Sequence, residues 1–477
     1  ALLENRGVIN LKSKSSAGIL NDSEDVNSKV IMSGTINSDV IADGSVGISA
    51  KTIDVIGGAT IDLKSSKSAG VYADGSVANI GNLAKFDMGG DESTYVYINN
   101  INNPSTINWN HASQALLQDI SVGVYAEKNA NNLPNIINIY QGGFDILGNN
   151  SAAIYANAKS DINLAAGTKI NILGDKNYGI IAKNGSSVQS YADIDMSGSS
   201  GSVGILTKDG GDIKNYGVIK VGNSDVQNSY YSVGMAIDGP GRIENHGTID
   251  VVGKDSIGMY ARGTASTVAA NYADIVVRPS AENGIAMYTD GATIENHGTI
   301  ALQANNSVGA YMLNGSVLKN YGTFKIENSS AYEVFKDNSG VKINPAGEEE
   351  PGKTYVPVSK IKITSSSTSD VEKGIENLNI KVEGYDYKVT YGGKEVLSSE
   401  IAHVYLPPVP NATTIDPKNQ VNAELDGILS EVAVDFDSLI NQTSVKNASE
   451  TLKDTTIPAN ILAMYADTSG VQTTKPI

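Results

Sequence analysis

The chain has 477 residues and a formal net charge of −17, from 35 basic and 52 acidic side chains. With no basic run to offset it, this charge argues against nucleic acid and anionic membrane surfaces as partners. The absence of cysteine excludes disulfides and thiolate metal sites. No apolar run reaches the roughly 18 residues that a membrane helix needs.

From its first residues the chain repeats a short apolar motif around a glycine. Copies include "SAGIL" at Gly18, "SVGVY" at Gly123 and "SIGMY" at Gly258. They recur at roughly 25 residues, and where one interval is doubled, "TYVYI" around Tyr97 predicts a diverged copy. A second motif, N-x-G-x-I, runs half a period behind the first, as in "NYGVI" at Gly217. Both motifs therefore belong to one repeating unit.

This repeat predicts an all-β fold, a right-handed parallel β-helix with roughly 25-residue rungs and one coil per repeat. The units alternate apolar and polar residues without helical spacing, and they lack the pattern of leucine-rich repeats. Alternation places Val122 with Val124, and Ile249 with Val251, inside the coil. Glycines supply the backbone conformations of the tight corners.

An asparagine stands two residues before the glycine of most copies of the second motif. Stacked copies bring these amides into register, so each can donate to the next and to a carbonyl at the bend. A structural ladder is favoured over ligand binding, because a buried bend needs its polar groups paired. The predicted ladder consists of Asn215, Asn245, Asn271, Asn296 and Asn320.

The position between the asparagine and the glycine carries tyrosine or histidine in most copies. "ENHGTI" occurs twice, and its histidines lie two coils apart, too far for one zinc ion to bind both. The sequence therefore predicts no metal, cofactor or catalytic residue. A flat stack of side chains is favoured, and the alternative is an exposed recognition column. This column comprises Tyr191, Tyr216, His246, Tyr272, His297 and Tyr321.

A second tyrosine column follows the first motif, and its rings are predicted to point outward or into a corner. Its fixed offset from the glycine holds for all members except Tyr288, which is displaced by two residues if Gly284 is taken as the motif glycine. The other members are Tyr72, Tyr125, Tyr155, Tyr260 and Tyr311.

The repeat ends after Phe335, and ordinary strand-like stretches follow it. The β-helix is predicted to occupy residues 1–346, an α+β inserted subdomain 347–455, and a returning rung 456–477. "GYDYKVTYGGKEV" predicts a hairpin around Gly392 and Gly393. Residues 416–440 show helical spacing. Leu425, Leu429, Val432 and Phe436 form the candidate binding face of this helix.

The repeated "SVGMYA"-like units, "IENHGTI", "KNYGVI" and the closing "DTSG" and "TKPI" resemble the passenger regions of large type V autotransporter adhesins of fusobacteria. The resemblance implies an extracellular passenger held at the cell surface by an outer-membrane barrel outside this sequence. It also implies coaggregation with other bacteria and attachment to host cells, through galactose- or N-acetylgalactosamine-type glycans or through protein receptors, some on immune cells. Because the sequence begins inside a repeat, we expect it to be part of a longer protein.

Three functions are compatible with this sequence. An adhesin leads, with the inserted subdomain as its predicted specificity element and the surface of the coil as the alternative. A structural stalk whose binding site lies elsewhere is the second. A polysaccharide-active enzyme is the third, and it is disfavoured because acidic pairs such as those in "DGGD" at 209–212 and "DID" at 193–195 occur in turns without a basic column beside them.

Overall fold

The computed structural model describes residues 2–21, 27–98, 104–126, 133–156, 159–222, 232–337 and 340–363, and the backbone of 389–391 and 394–396, without the side chains of 74–76 and 363. The chain is an all-β parallel β-solenoid of about 13 turns, which confirms the predicted fold class. The regular elements of these residues are all strands, and none of them is a helix that could cross a membrane. The handedness of the coil stays a prediction.

A typical coil contains three strands, exemplified by Val203–Lys208, Gly211–Asn215 and Val218–Val221. Each strand pairs in parallel with the equivalent strand of the next coil, so the strands form three faces. We call them the glycine face, which carries the first motif, the asparagine face, which ends in the ladder residues, and the isoleucine face, which carries the end of the second motif.

The chain divides into two compact units, of which unit 1 comprises residues 1–193 and 426–477. The glycine face of unit 1 contains Ala17–Asn21, Val46–Val55, Ala69–Ile80, Thr94–Ile98, Val122–Ala126, Ala152–Ala156 and Tyr178–Lys183. Its asparagine face contains Leu2–Asn5, Lys29–Met32, the second halves of Val46–Val55 and Ala69–Ile80, Thr106–Trp109, Asn135–Ile139, Ser160–Leu164 and Ser186–Ser190. Its isoleucine face contains Val8–Leu11, Thr35–Ser38, Thr60–Leu63, Lys85–Met88, Gln114–Leu117, Gly143–Ile146 and Lys169–Ile172.

Unit 2 comprises residues 194–425. Its glycine face contains Val203–Lys208, Val233–Asp238, Ile257–Arg262, Ile285–Asp290, Val308–Leu313, Tyr332–Lys336 and Ile361–Ile363. Its asparagine face contains Gly211–Asn215, Gly241–Asn245, Thr267–Asn271, Thr293–Asn296, Val317–Asn320 and Lys342–Ile343. Its isoleucine face contains Asp193–Met196, which begins at the boundary, Val218–Val221, Thr248–Val251, Asp274–Val277, Thr299–Leu302 and Thr323–Ile326.

Alternation fills the inside of the coil as the sequence predicts. Val122 and Val124 are 0% exposed, and so are Ile249 and Val251. The register keeps equivalent residues in contact, so that Ile249 lies opposite Ile275 on the next coil. Each coil thus buries its apolar side chains against two neighbours, which is the main source of stability in a solenoid.

Most of the second tyrosine column is buried, while Tyr72 and Tyr311 are half-buried. Of the two predicted placements, outward or into a corner, the outward one is therefore wrong for the buried members. Tyr125, Tyr155 and Tyr260 are fully buried. In unit 1 the rings of Tyr72, Tyr97, Tyr125 and Tyr155 stack with centroids 5.0–5.1 Å apart. The strand around Tyr97 is the predicted diverged copy, and its register is confirmed. In unit 2, Tyr260, Tyr288, Tyr311 and Phe335 stack in the same way.

Tyr288 belongs to this column without displacement, which corrects the alignment of its coil. Tyr288 pairs in register with Tyr260 on one side and with Tyr311 on the other. Ala286, not Gly284, therefore occupies the position of the motif glycine. In "NGIAM" the glycine, Gly284, lies two residues before Ala286, so an alignment on glycines selects the wrong residue.

Parallel pairing continues past the boundary that the sequence places between residues 346 and 347. Ile361–Ile363 pairs with the strand Tyr332–Lys336 on the glycine face. The predicted hairpin is confirmed in its backbone, since Val389–Tyr391 and Lys394–Val396 pair antiparallel. The remaining parts of the insertion, its helix and the returning rung lie outside the described residues, and the division into domains stays a prediction.

Candidate functional site

The asparagine ladder stands in one buried column of unit 2. Its side-chain amides bond in sequence, with Nδ2–Oδ1 distances of 2.9–3.2 Å from Asn215 to Asn320. The same Nδ2 groups also donate to bend carbonyls, as Asn271 does to Ala273 at 2.8 Å. All five side chains are 0% exposed. Because each of these five coils ends this strand with an asparagine at the same corner, the ladder sets the geometry of the position that follows it.

The position after each ladder asparagine carries a ring that stacks on the ring of the next coil. Centroids lie 5.0 Å apart for Tyr216 and His246, and 4.7 Å for His246 and Tyr272. They lie 4.6 Å apart for Tyr272 and His297, and 4.9 Å for His297 and Tyr321. We call these five rings the ring column.

The ring column is only partly open to solvent. Its rings form the flat stack that the sequence favours, and its role as a recognition column stays a prediction. In unit 1, Tyr191 is 43% exposed, and its hydroxyl accepts a hydrogen bond from Gln189. The rings of unit 2 are half-buried, except that the side chain of His297 is almost fully covered. Since their faces are covered by neighbouring rings, the column presents ring edges, hydroxyls and ring nitrogens to solvent rather than open aromatic faces.

A cluster of charged side chains covers the column from the asparagine face. Arg242 donates to Glu244 at 2.6 Å, to Glu295 at 2.7 Å and to the hydroxyl of Tyr272 at 2.7 Å. Glu244 and Glu295 lie two coils apart in the same register, with Ala270 between them. The small alanine leaves the space across which one arginine binds both carboxylates.

This pairing perturbs the pKa of both glutamates. Burial works against ionisation of Glu295, but His297 and Arg242 outweigh burial and lower its pKa to about 2. Burial likewise opposes ionisation of Glu244, and hydrogen bonds from His246 and Arg242 lower its pKa overall. Arg242 is itself desolvated, yet its two carboxylates raise its pKa further above the ordinary value. The cluster is therefore an ionised network on the surface of unit 2.

The segment 344–358, which begins with the acidic, Pro- and Gly-containing stretch "NPAGEEEPGK", crosses the end of the ring column. Tyr355 stacks on Tyr321 with centroids 5.0 Å apart. The backbone N–H of Glu350 donates to the hydroxyl of Tyr321 at 2.9 Å. Asn320, the last residue of the ladder, donates to the carbonyl of Val356. This segment covers His297, whose side chain is 7% exposed.

Sequence reasoning missed the residues that surround the rings. Glu244 and Glu295 were visible in both copies of "ENHGTI", but nothing in the letters indicated that Arg242 joins them. Glu350 and Lys353 lie in "GEEEPGK", which reads as a solvated junction. The candidate helix face of Leu425, Leu429, Val432 and Phe436 lies outside the described residues.

Comparison with known proteins gives one family. The model described as "BigA third pectate lyase-like domain" matches residues 51–256 and 250–329, which together make up more than half of the chain. The chain belongs to this family. Membership in the BigA family indicates an adhesin-like, β-helical protein exposed on a bacterial surface. Neither the curated proteins nor the solved structures gave a match.

Replacing Arg242 by glutamine is expected to destabilise unit 2 by about 3 kcal/mol at pH 7, because Glu295 stays buried and charged without its cation. Both glutamates have a lowered pKa in the folded chain. Their contribution to stability is therefore complete above their ordinary pKa of 4.5, and it is lost as the pH falls toward about 2. The cost of Arg242→Gln should shrink over this range.

The measurement is urea unfolding of both chains from pH 7 down to pH 2.5. Arg262→Gln is the control, since Arg262 also pairs across coils but serves the single carboxylate of Asp238. The control should cost less than Arg242→Gln at pH 7. A cost of Arg242→Gln that does not change with pH would contradict the assigned network.

Proposed function

We propose that the chain is the binding passenger of a bacterial cell-surface adhesin, anchored in the outer membrane of a Gram-negative, fusobacterial cell by a domain outside this sequence. It would attach the bacterium to host cells or to partner bacteria. The observation that carries the proposal is membership in the BigA family, over residues 51–329 of the solenoid. The repeats supply a scaffold on which loops and corners can vary without loss of the core.

The corner of unit 2 is the binding surface that the described residues support best. It combines the polar edges of the ring column with the ionised groups of Arg242 and Glu244. Arg242 is 29% exposed in its side chain and His246 is 27% exposed, so both are within reach of a partner. Arginine and tyrosine are enriched where protein interfaces are strongest.

A protein receptor, including one on immune cells, is the partner class that this chemistry favours. Galactose- and N-acetylgalactosamine-type sugars present an apolar face that pairs best with an open aromatic ring. The ring faces of this column are occupied by one another. A host glycan is therefore the second candidate, to be bound by the insertion rather than by the ring column.

The experiment is attachment of the purified chain to host cells and to partner bacteria. Replacing residues 364–455 by a glycine-serine linker is expected to leave the solenoid folded and to abolish attachment if the insertion is the binding element. The replacement starts at 364 because Glu350, Tyr355 and the strand Ile361–Ile363 pack on the coil. Retained attachment of this variant would exclude the insertion.

A corner variant separates the two surfaces. Tyr216→Ser with His246→Ser removes two rings of the column but leaves the insertion unchanged. Loss of attachment in this variant alone would assign binding to the corner, and free galactose should then fail to compete. If the wild-type chain attaches to no cell and binds nothing on receptor and glycan arrays, the result would instead support the structural stalk.

The enzyme alternative requires its own assay. The pectate lyase-like name of the family describes the fold, and β-helices of that class include polysaccharide-active enzymes. Incubation of the chain with host and bacterial polysaccharides, with and without calcium, should release no fragments if the chain only binds. Release of unsaturated or reducing ends would overturn the adhesin proposal.

A further inference from the structure

The two copies of "ENHGTI" have different environments in the folded chain. In the first copy, His246 Nε2 lies 2.9 Å from Glu244 Oε2, a normal hydrogen bond, and its side chain is 27% exposed. In the second copy, the side chain of His297 is only 7% exposed. Its Nε2 is buried and has no hydrogen-bond partner among the described residues. An unpaired buried imidazole nitrogen costs free energy unless something binds it.

His297 Nε2 points between two carboxylates from different parts of the chain. It lies 3.8 Å from Glu295 Oε2 and 3.4 Å from Glu350 Oε1. Both distances exceed a hydrogen bond. The three potential ligand atoms all lie within 4.8 Å of one another.

The 3.4 Å separation of His297 Nε2 and Glu350 Oε1 is that of neighbouring ligands around a small metal ion, and the 3.8 Å separation of Nε2 and Glu295 Oε2 is slightly longer. Zinc binds imidazole nitrogen and carboxylate oxygen at about 2.0–2.2 Å, so tetrahedral neighbours stand roughly 3.4 Å apart. Calcium and magnesium prefer sites made of oxygen only, whereas imidazole suits zinc. We propose that Glu295, His297 and Glu350 bind one zinc ion, with a fourth position open to water or to a donor from a partner.

Two cations near the site, Arg242 and Lys353, compete with zinc for the ligand atoms. Arg242 donates to Glu295 Oε2 at 2.7 Å, but that oxygen has a second lone pair. Lys353 Nζ lies 3.1 Å from His297 Nδ1 and 2.7 Å from Glu350 Oε2. When Lys353 donates to Nδ1, the imidazole proton must sit on Nε2, the atom that zinc needs. Lys353 is 43% exposed, so it can leave when zinc binds.

A zinc ion at this position would fasten the segment 344–358 to the coil. Glu295 and His297 come from one corner of the solenoid, and Glu350 comes from the crossing segment. The first copy of the motif lacks a counterpart of Glu350 among the described residues. His246 is therefore a matched control, because it has the same neighbours in sequence and lies in the same column.

The test is isothermal titration of the EDTA-treated full chain with zinc chloride alone, followed by thermal unfolding. Zinc should bind one site and raise the melting temperature. His297→Gln and Glu350→Gln should each weaken this binding by at least about tenfold, while His246→Gln leaves it unchanged. Lys353→Gln should tighten it, because glutamine can accept a hydrogen bond from Nδ1 and frees Nε2 for the metal.

Each result bears on the proposal. Thermal unfolding of the zinc-free variants identifies any that fail to fold. Lys353→Gln changes an exposed side chain and tests the site without removing a ligand. No zinc binding by the wild-type chain, equal binding by His297→Gln, or equal loss in His246→Gln would overturn the proposal. Attachment to cells is not part of the readout, so failure of the zinc site leaves the adhesin proposal standing.

Discussion

Asn271→Leu is expected to lower the free energy of unfolding of unit 2 by about 3–5 kcal/mol. Asn271 accepts from Asn245 at 3.0 Å and donates to Asn296 at 3.1 Å and to the carbonyl of Ala273 at 2.8 Å. Leucine has nearly the same size, so the cost comes from polar groups left buried without partners rather than from a cavity. Asn296 Oδ1 and the Ala273 carbonyl each lose the Asn271 donor.

A second ladder, on the asparagine face of unit 1, provides the control for Asn271. Asn79, Asn108, Asn138 and Asn163 bond there at 2.8–3.1 Å. Asn163 is exposed, so water can replace its partners. Asn163→Leu should therefore cost less than about 1 kcal/mol. Urea unfolding measures both, and equal costs for the two ladders would contradict a stabilising role that depends on burial.

Gly123→Ala is expected to destabilise unit 1 by about 3 kcal/mol or more. A Cβ at this position would lie 2.3 Å from the ring of Phe144 and 2.4 Å from the carbonyl oxygen of Ala153. Gly70 and Gly309 also face phenylalanines, Phe86 and Phe324, at 2.7 and 2.5 Å. Where a coil carries phenylalanine on the isoleucine face, the glycine opposite leaves the room that the ring needs.

The next coil suggests how the cost can be recovered. It carries Ala153 in the position of Gly123, and Ile170 in the position of Phe144. The double variant Gly123→Ala with Phe144→Ile should therefore be more stable than the sum of the single costs predicts, by about 1–2 kcal/mol. Gly198→Ala is the control, because a Cβ there meets nothing within 4 Å. Additive costs in thermal unfolding would show that the carbonyl contact, not the ring, forbids alanine.

The zinc proposal and the ring column together change what the repeated motif means. "ENHGTI" places a glutamate and a histidine two residues apart on a corner, and in a single coil that pair forms only a hydrogen bond. The second copy differs because a segment more than fifty residues further along the chain brings Glu350 to it. Chemistry at this corner therefore depends on which coil the crossing segment reaches.

The period of the repeat determined the coil and the two columns on the asparagine corner, whereas the three faces became visible only in the strand pairing. These features follow from the sequence because each coil contacts its neighbours in register, so that one residue type repeated at one spacing must stack. The diverged copy at Tyr97 was predictable for the same reason. The hairpin at Gly392 and Gly393 was predictable from its local strand and turn pattern.

Alternation by itself left the placement of the second tyrosine column undecided between the outside and a corner. Only the packing showed that Tyr125 and Tyr260 are buried. The register of Ala286 was likewise decided by pairing with both neighbouring coils rather than by its letters.

The sequence by itself determined that asparagine and ring columns exist, because periodic stacking is a local rule repeated along the chain. Only the tertiary structure decided which histidine is buried between carboxylates and which glutamates share Arg242. Those contacts join residues two coils apart, or a coil and a crossing segment. The spacing within one repeat therefore does not predict which distant side chain lies beside a small residue such as Ala270.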